Sequence, residues 1–374
     1  MRKKVISAGH ICLDITPVFQ GEAVNYLTDV LTPGKLLNVG AADVHTGGSV
    51  ANTGLAMKIL GADVSLMGKI GDDAFGSMVC EILNQYDAGD GLLVKEGEST
   101  SYSVVLAVPG VDRIFLHNCG ANNTFCAGDV SKKALEESTL FHFGYPPLMK
   151  KMYENDGEEL CKLMKLAKDC GTATSLDFAS IDPNSDAGKV NWEKILERVI
   201  PYVDFFVPSI EELCYMLDKE RFAQWQERAE GRDITEILDM EKDIRPLAEQ
   251  CMEFGAKVVL IKCGAPGIYY RTADKMTMWE LCGKLQLGIE EWADKEGFEK
   301  SYVPEKVLSG TGAGDTSIAA FLTATLEGYS LERSMQLATA TGACCVEAYD
   351  ALSGLKSFEE LEKKISTGWE KNRF

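Results

Sequence analysis

The sequence predicts a doubly wound α/β fold, with a mostly parallel central sheet flanked by helices and a small β-rich lid. Three observations predict it. Short β-rich runs alternate with helical stretches over most of the 374 residues, the rhythm of crossover-connected parallel strands. The runs Thr174–Phe178, Phe205–Val207 and Val258–Lys262 are short and β-rich, as strands that fill a buried parallel sheet are. Two segments, about 10–45 and 95–125, read as strands without intervening helices, and these supply the lid.

Val5–Ala8 reads as the first strand. Ser49–Leu60 is predicted helical, with Ala51, Leu55, Ile59 and Leu60 on one side and Gly61 past its end. Val64–Gly68 follows as a strand and Asp73–Gln85 as a helix. Tyr102–Val108 and Ile114–His117 form a hairpin around Pro109-Gly110-Val111-Asp112. Leu140–Phe143 is a strand and Gly157–Cys170 a helix. Gly267–Arg271 is a strand bordered by glycine. Asp315–Leu326 and Leu331–Glu347 are the last long helices, and Ser357 with Glu360 has the spacing of a capping box before Phe358–Ile365. Residues 218–246 are charged and helical and read as a surface insertion. The whole, 1–374, is expected to be a single domain.

Composition bounds the function. Hydrophobic residues make up 45% and charged residues 25%, which is globular composition. The net charge of −19 argues against nucleic-acid or anionic-membrane partners, since both need dense Lys and Arg. The chain shows no signal-peptide pattern after the basic head Met1-Arg2-Lys3-Lys4, and no apolar run of spanning length. The expected compartment is the cytoplasm. The 12 cysteines are scattered without a Cys-x-x-Cys, which fits a reducing compartment and disfavours a zinc or redox motif.

The strongest local signal is Ser309-Gly310-Thr311-Gly312-Ala313-Gly314-Asp315-Thr316, followed by a helical run. Three glycines let successive N–H groups turn toward one spot, and the helix adds its positive end there. That is an anion hole, with Asp315 at its rim. A carboxylate beside an anion hole makes sense where it takes a proton from a hydroxyl attacking the bound anion, the layout for phosphoryl transfer. A glycine turn before an Asp-capped helix is the plainer alternative. Neither a Walker A loop nor Gly-x-Gly-x-x-Gly is present, which disfavours a nicotinamide dehydrogenase.

Gly312-Ala313-Gly314-Asp315 resembles the C-terminal signature of the ribokinase-like (PfkB) carbohydrate kinases. Gly47-Gly48-Ser49-Val50-Ala51-Asn52-Thr53-Gly54, with Gly68-Lys69-Ile70-Gly71-Asp72-Asp73-Ala74-Phe75-Gly76, is similar to the N-terminal signature of the same family. The resemblance spans nearly the whole chain. It implies catalysis by Asp315 with the Gly312, Ala313 and Gly314 turn. It implies substrate contacts from Asp14, Gly47, Gly48, Asn52, Asn122 and His117. It places nucleotide on Lys262, Gly264, Gly267, Gly312 and Gly314, with Glu212 helping to hold Mg2+. Lys262 stands where the family usually has threonine, and Ser209 where it has asparagine. Ser309-Gly310 replaces the usual Asp-Thr, so the resemblance does not decide whether K+ activates.

The implied function is an ATP-dependent kinase acting on a hydroxyl, expected to be primary, of a sugar or sugar derivative. A nucleoside kinase on the same scaffold would need an aromatic wall, for which Tyr102, Phe115 and Phe125 are the candidates. A non-catalytic sugar or nucleotide sensor is the reading from another class. The lid's strand edges invite pairing into a homodimer.

Overall fold

The computed structural model describes residues 3–111 and 113–373. Met1-Arg2, and Asp112 of the expected hairpin turn, lie outside the described residues. The strands, in chain order, are β1 (Lys4–Gly9), β2 (Cys12–Thr16), β3 (Asp43–Gly47), β4 (Asp63–Gly71), β5 (Leu92–Lys95), β6 (Tyr102–Leu106) and β7 (Ile114–Asn118). They continue with β8 (Leu140–Gly144), β9 (Ala173–Asp177), β10 (Phe205–Phe206), β11 (Val258–Lys262), β12 (Gly267–Thr272) and β13 (Glu296–Lys300).

Nine of these form the large sheet, in the order β13-β12-β11-β10-β9-β8-β1-β4-β5. Every pairing from β5 across to β11 is parallel. Only β12 runs against the others, so its pairings with β11 and with β13 are the antiparallel ones. Alternation of side chains across the pleat fills both faces. Phe205 packs edge-on against Phe321 on one side of β10, its centroid 5.9 Å away. Phe206 packs against Phe178 on the other, at 5.8 Å. Each fully buried phenyl ring contributes about 1.5–3 kcal/mol, and the two faces carry separate apolar clusters. The last two long helices, Ala313–Glu327 and Leu331–Cys345, lie against each other. The first also packs on helix Ser49–Ile59. Small side chains, Ala319, Ala320 and Ala324, permit this close approach and are fully buried.

The smaller sheet has the order β3-β2-β6-β7. The hairpin is present, as expected. The rest of the proposed lid is less regular than its sequence suggests. Only the ends of the 10–45 segment are strands, and the stretch between them holds a single turn of 3-10 helix, Leu27–Asp29. Gly120–Thr124 is 3-10 helix, not strand. Strands β5 and β13 went unread because both are short, mostly polar or exposed edge strands. The 218–246 segment is helical, as expected, with helix Lys219–Ala229 followed by two short helical turns.

What matters for function is where strands end. Strand β1 sits between β4 and β8, where successive crossovers wind in opposite directions. Open α/β sheets form a crevice at such a switch point, beyond the carboxyl ends of their strands. His10, Tyr145, Asp177, Ser209 and Lys262 all stand at or just past those ends.

Candidate active site

The glycine turn delivers a helix start rather than an Asp cap. Gly312 takes φ 74°, and the helix begins at Ala313, two residues earlier than the sequence reading placed it. The first-turn N–H groups of a helix have no intrahelical acceptor, so this end carries partial positive charge. Asp315 falls in that first turn, and its carboxylate makes no cap.

The carboxylate of Asp315, only 5% exposed, is gripped from two directions. Asn52 Nδ2 donates to Oδ2 at 3.0 Å and Thr53 Oγ1 to Oδ1 at 3.3 Å. Both donors lie near the start of helix Ser49–Ile59. From the far side the Tyr145 hydroxyl lies 2.7 Å from each oxygen. Tyr145 follows β8 in a left-handed conformation, φ 68° and ψ 42°, uncommon for a bulky residue. Pro146 and Pro147 follow it, and its N–H is tied to the Asp177 carbonyl at 3.2 Å. Burial, and then the neighbouring Asp315, hold the phenol protonated far into the alkaline range.

Beside the turn, Lys262 Nζ meets Asp177 Oδ1 at 2.5 Å. Burial opposes the charge on Lys262, but Asp177, Glu212 and Asp315 outweigh it, and its pKa rises. Burial pushes Asp177 up to about 7 against the pull of Lys262, with Glu212 and Asp315 adding to the push. Its other oxygen, Oδ2, is buried without a hydrogen-bond partner. Glu212 opens helix Ile210–Leu217 in a reciprocal cap: Ser209 N–H donates to Glu212 Oε2 at 2.7 Å, and Glu212 N–H to Ser209 Oγ at 3.2 Å. One carboxylate oxygen is thereby spent on the main chain.

Lys262, Gly264, Gly267, Glu212, Gly312, Ala313, Gly314 and Asp315 all line one cleft of about 1120 Å³. Asn52 joins this group through its bond to Asp315. Sequence and geometry here agree: residues 10–357 match the pfkB family of carbohydrate kinases. The chain belongs to that family.

Its relatives span most of their own length in the match. The kinase is 22% identical to the 5-dehydro-2-deoxygluconokinase of Clostridium perfringens, over 96% of this chain and 92% of that one. It is 24% identical to fructokinase-1 of Oryza sativa subsp. japonica, over 97% and 98%. Arabidopsis thaliana ribokinase, solved with ribose and ATP, superposes with a TM-score of 0.70 at 20% identity, covering 97% of this chain and 98% of that one. Xylella fastidiosa fructokinase with bound ATP gives 0.71 at 17%, covering 98% and 99%. The fold of this carbohydrate kinase is therefore ribokinase-like.

On the other side of Asp315 the kinase presents side chains of the small sheet. Asp14 stands on β2 opposite His45 and Ser103. A side chain at Gly47 would collide with the Asp14 carboxylate, so glycine is what leaves Asp14 its room. Gly48 takes φ 85°, and a Cβ there would stand 2.6 Å from His10 Nδ1. His117 Nε2 lies 3.3 Å from His10 Nε2, while Ser103 Oγ holds its Nδ1 at 3.0 Å. Burial lowers the pKa of both imidazoles. His117 adds to that effect on His10, and Asp14 opposes it on His117. None of Asp14, Gly47, Gly48 and His117 lines the large cleft.

Asn122 is placed differently from its expected role. It is fully buried, and its carboxamide is committed to main chain: Ile11 N–H donates to it at 3.2 Å, and its Nδ2 donates to the carbonyls of Ile11 at 2.9 Å and Cys119 at 3.0 Å. It staples the start of the small sheet to the body. Three residues that sequence reasoning did not single out belong to the site's surroundings: His10, Tyr145 and Arg113. Arg113, past the hairpin turn, reaches across to Ser309 Oγ at 3.3 Å and contacts Thr311 Oγ1. The Tyr145-Pro146-Pro147 run after a buried strand was the available signal for Tyr145. The others depend on how the two sheets meet.

Proposed function

We propose that this carbohydrate kinase transfers the γ-phosphoryl of ATP to a hydroxyl of a sugar or sugar derivative, with Asp315 as general base. The observation that carries the reading is the position of Asp315. It is a buried carboxylate at the positive end of a helix, between a glycine-lined cleft and the hydroxyl-binding side chains of the small sheet.

The triphosphate lies along Gly264, Gly267 and the Gly312–Gly314 turn, with Lys262 beside it. The acceptor lies against Asp14, Gly48 and Asn52, near His117. Its hydroxyl takes one of the contacts that Tyr145 makes with Asp315. As that oxygen attacks the γ-phosphorus, its proton passes to Asp315 and the bond to ADP breaks. Turn N–H groups stabilise the charge that develops on the moving phosphoryl. The small sheet acts as a lid. Arg113, bridging it to Ser309 and Thr311, supports a closed arrangement that excludes water.

Oxygen donors suit Mg2+. Glu212, which lines the cleft, and the unpartnered Asp177 Oδ2 are carboxylate groups that would hold it, directly or through water. When bound, Mg2+ neutralises phosphate charge. Potassium fits less well: Ser309, where the family's aspartate would stand, accepts from the Arg113 guanidinium, and a fixed cation there opposes another.

The aromatics that a nucleobase would need are dispersed. Phe125 packs on Phe143 in the main core, Tyr102 sits edge-on to Phe75, and Phe115 is 54% exposed. The exposed outer strand β7, with Ile114, Phe115 and Leu116, is available for pairing with a second copy. No described helix is long and apolar enough to cross a membrane.

An ADP-release screen tests the reading. Purified protein with MgATP is offered ketoses, aldoses, sugar acids, sugar phosphates and nucleosides. Stimulation by one sugar class, abolished by Asp315→Asn, is the expected result. Stimulation by nucleosides alone would move the assignment to a nucleoside kinase. Ligand-induced thermal shifts without turnover would point to a sensor.

A further inference from the structure

We propose that the 218–246 insertion is a wall of the donor-nucleotide site and that Arg232 contacts the nucleotide's phosphates. This rests on the kinase reading above. The insertion is not a detached surface ornament. Its turn, Gly231–Thr235, lines the same cleft as Gly264, Gly267 and the Gly312–Asp315 segment. Thr235 is packed so closely on the nucleotide-side turn that a Cβ at Gly264 would stand 3.0 Å from Thr235 Oγ1.

The turn is held firmly from behind. Trp225, 1% exposed, sits in the main core, and its Nε1 donates to Asp243 Oδ1 at 3.1 Å. The other oxygen of Asp243 accepts from Arg228 at 2.8 Å and from the Asp239 N–H at 2.9 Å. Asp233 Oδ1 accepts from both the N–H and the hydroxyl of Thr235, at 2.8 and 2.7 Å. This lattice fixes the segment against the cleft.

Charge singles out Arg232. The described lining residues include the acids Glu211, Glu212, Asp233 and Asp315, and only two cations, Lys262 and Arg232. Lys262 is already tied to Asp177. Arg232 is exposed, uses only Nε to hold the Ala229 carbonyl at 3.2 Å, and among the described residues pairs with no carboxylate. Its terminal fork remains available, and a guanidinium fork matches two phosphate oxygens. A polyphosphate entering an otherwise acidic cleft meets its one uncommitted side-chain cation there.

Calorimetric titration of MgATP, MgADP and adenosine into wild type, Arg232→Ala and Arg232→Gln tests this. Expected is a roughly tenfold weaker affinity for both nucleotides in both variants, with adenosine binding and the sugar KM unchanged. Melting temperatures at the wild-type value confirm that the exposed substitutions leave the fold intact. Wild-type nucleotide affinity in both variants overturns the proposal. So does an equal loss for adenosine, which would place Arg232 on the base instead. Failure of wild type itself to bind MgATP would sink the kinase reading and this proposal with it, an outcome distinct from wild-type affinity in the two variants.

Discussion

On the side of Asp315 proposed for the donor the surface is largely main chain: the turn at Gly264 and Gly267, the turn at Gly312 and Gly314, and a helix start. On the side proposed for the acceptor it is side chains, Asp14, Asn52, His10 and His117, converging from two sheets and a helix start. The difference suits the ligands. A triphosphate is the same in every donor molecule, and N–H groups bind it without regard to side-chain identity. A sugar is told from its isomers by where its hydroxyls lie, which demands shaped and polar side chains. Asp315 is the one group that both halves share.

Replacing it should therefore have the largest effect. Asp315→Asn is expected to lower kcat by about 10²–10⁴-fold, the usual scale for losing a general base, with MgATP binding retained. Single-turnover rates together with calorimetric nucleotide affinity would show this split. A variant with near-normal kcat removes Asp315 from the role.

Asn122→Ala separates a staple from a substrate contact. It leaves the buried N–H and carbonyl of Ile11 unpaired, and the expected loss is about 1–3 kcal/mol of folding stability with both KM values nearly unchanged. Urea unfolding and steady-state kinetics on one preparation give both numbers. Unaltered stability with a raised sugar KM would restore the substrate role that the family resemblance implies for Asn122.

The same contrast governs what the chain discloses before folding. Donor-side elements are legible because glycine spacing is local: Gly312-Ala313-Gly314-Asp315 announces a turn and a helix start within one stretch of sequence. The buried parallel strands are legible for a similar reason, since β-rich runs such as Val258–Lys262 need no partner to be recognised. The acceptor side is not. His10 and His117 are far apart in sequence and meet only because β2 pairs with β6 and β6 with β7. Tyr145 reaches Asp315 through a left-handed turn that no local rule assigns to tyrosine. Edge strands β5 and β13 escape because β5 is only four residues long and exposed, and β13 is mostly polar, so neither carries a clear period.

Titration gives the two sides opposite signs. Asp177, on the donor side, is pushed up to about 7 by burial. An acid raised in the folded state holds its proton more tightly there than in the unfolded chain. Its contribution is whole below roughly pH 4 and is lost as pH rises toward 7. Wild type should therefore lose stability relative to Asp177→Asn across that window, read from denaturation midpoints at each pH. Parallel curves would mean that Lys262 keeps Asp177 ionised throughout.

His10 and His117 run the other way. Burial holds both below the usual imidazole range, so the folded clasp wants them neutral. Their contribution is present above roughly pH 6.5 and is lost as pH falls. Protonating both rings would set like charges against each other across the 3.3 Å Nε2–Nε2 contact and loosen the side of the site proposed for the sugar. The expected consequence is the smallest of the four, a rise of about two- to fivefold in sugar KM between pH 7 and 5.5, with MgATP affinity little changed. His117→Gln removes one of the two charges and should flatten that rise. If instead the KM of ATP climbs in acid while that of the sugar holds, the histidine pair serves the donor half, and the division of labour at Asp315 is drawn in the wrong place.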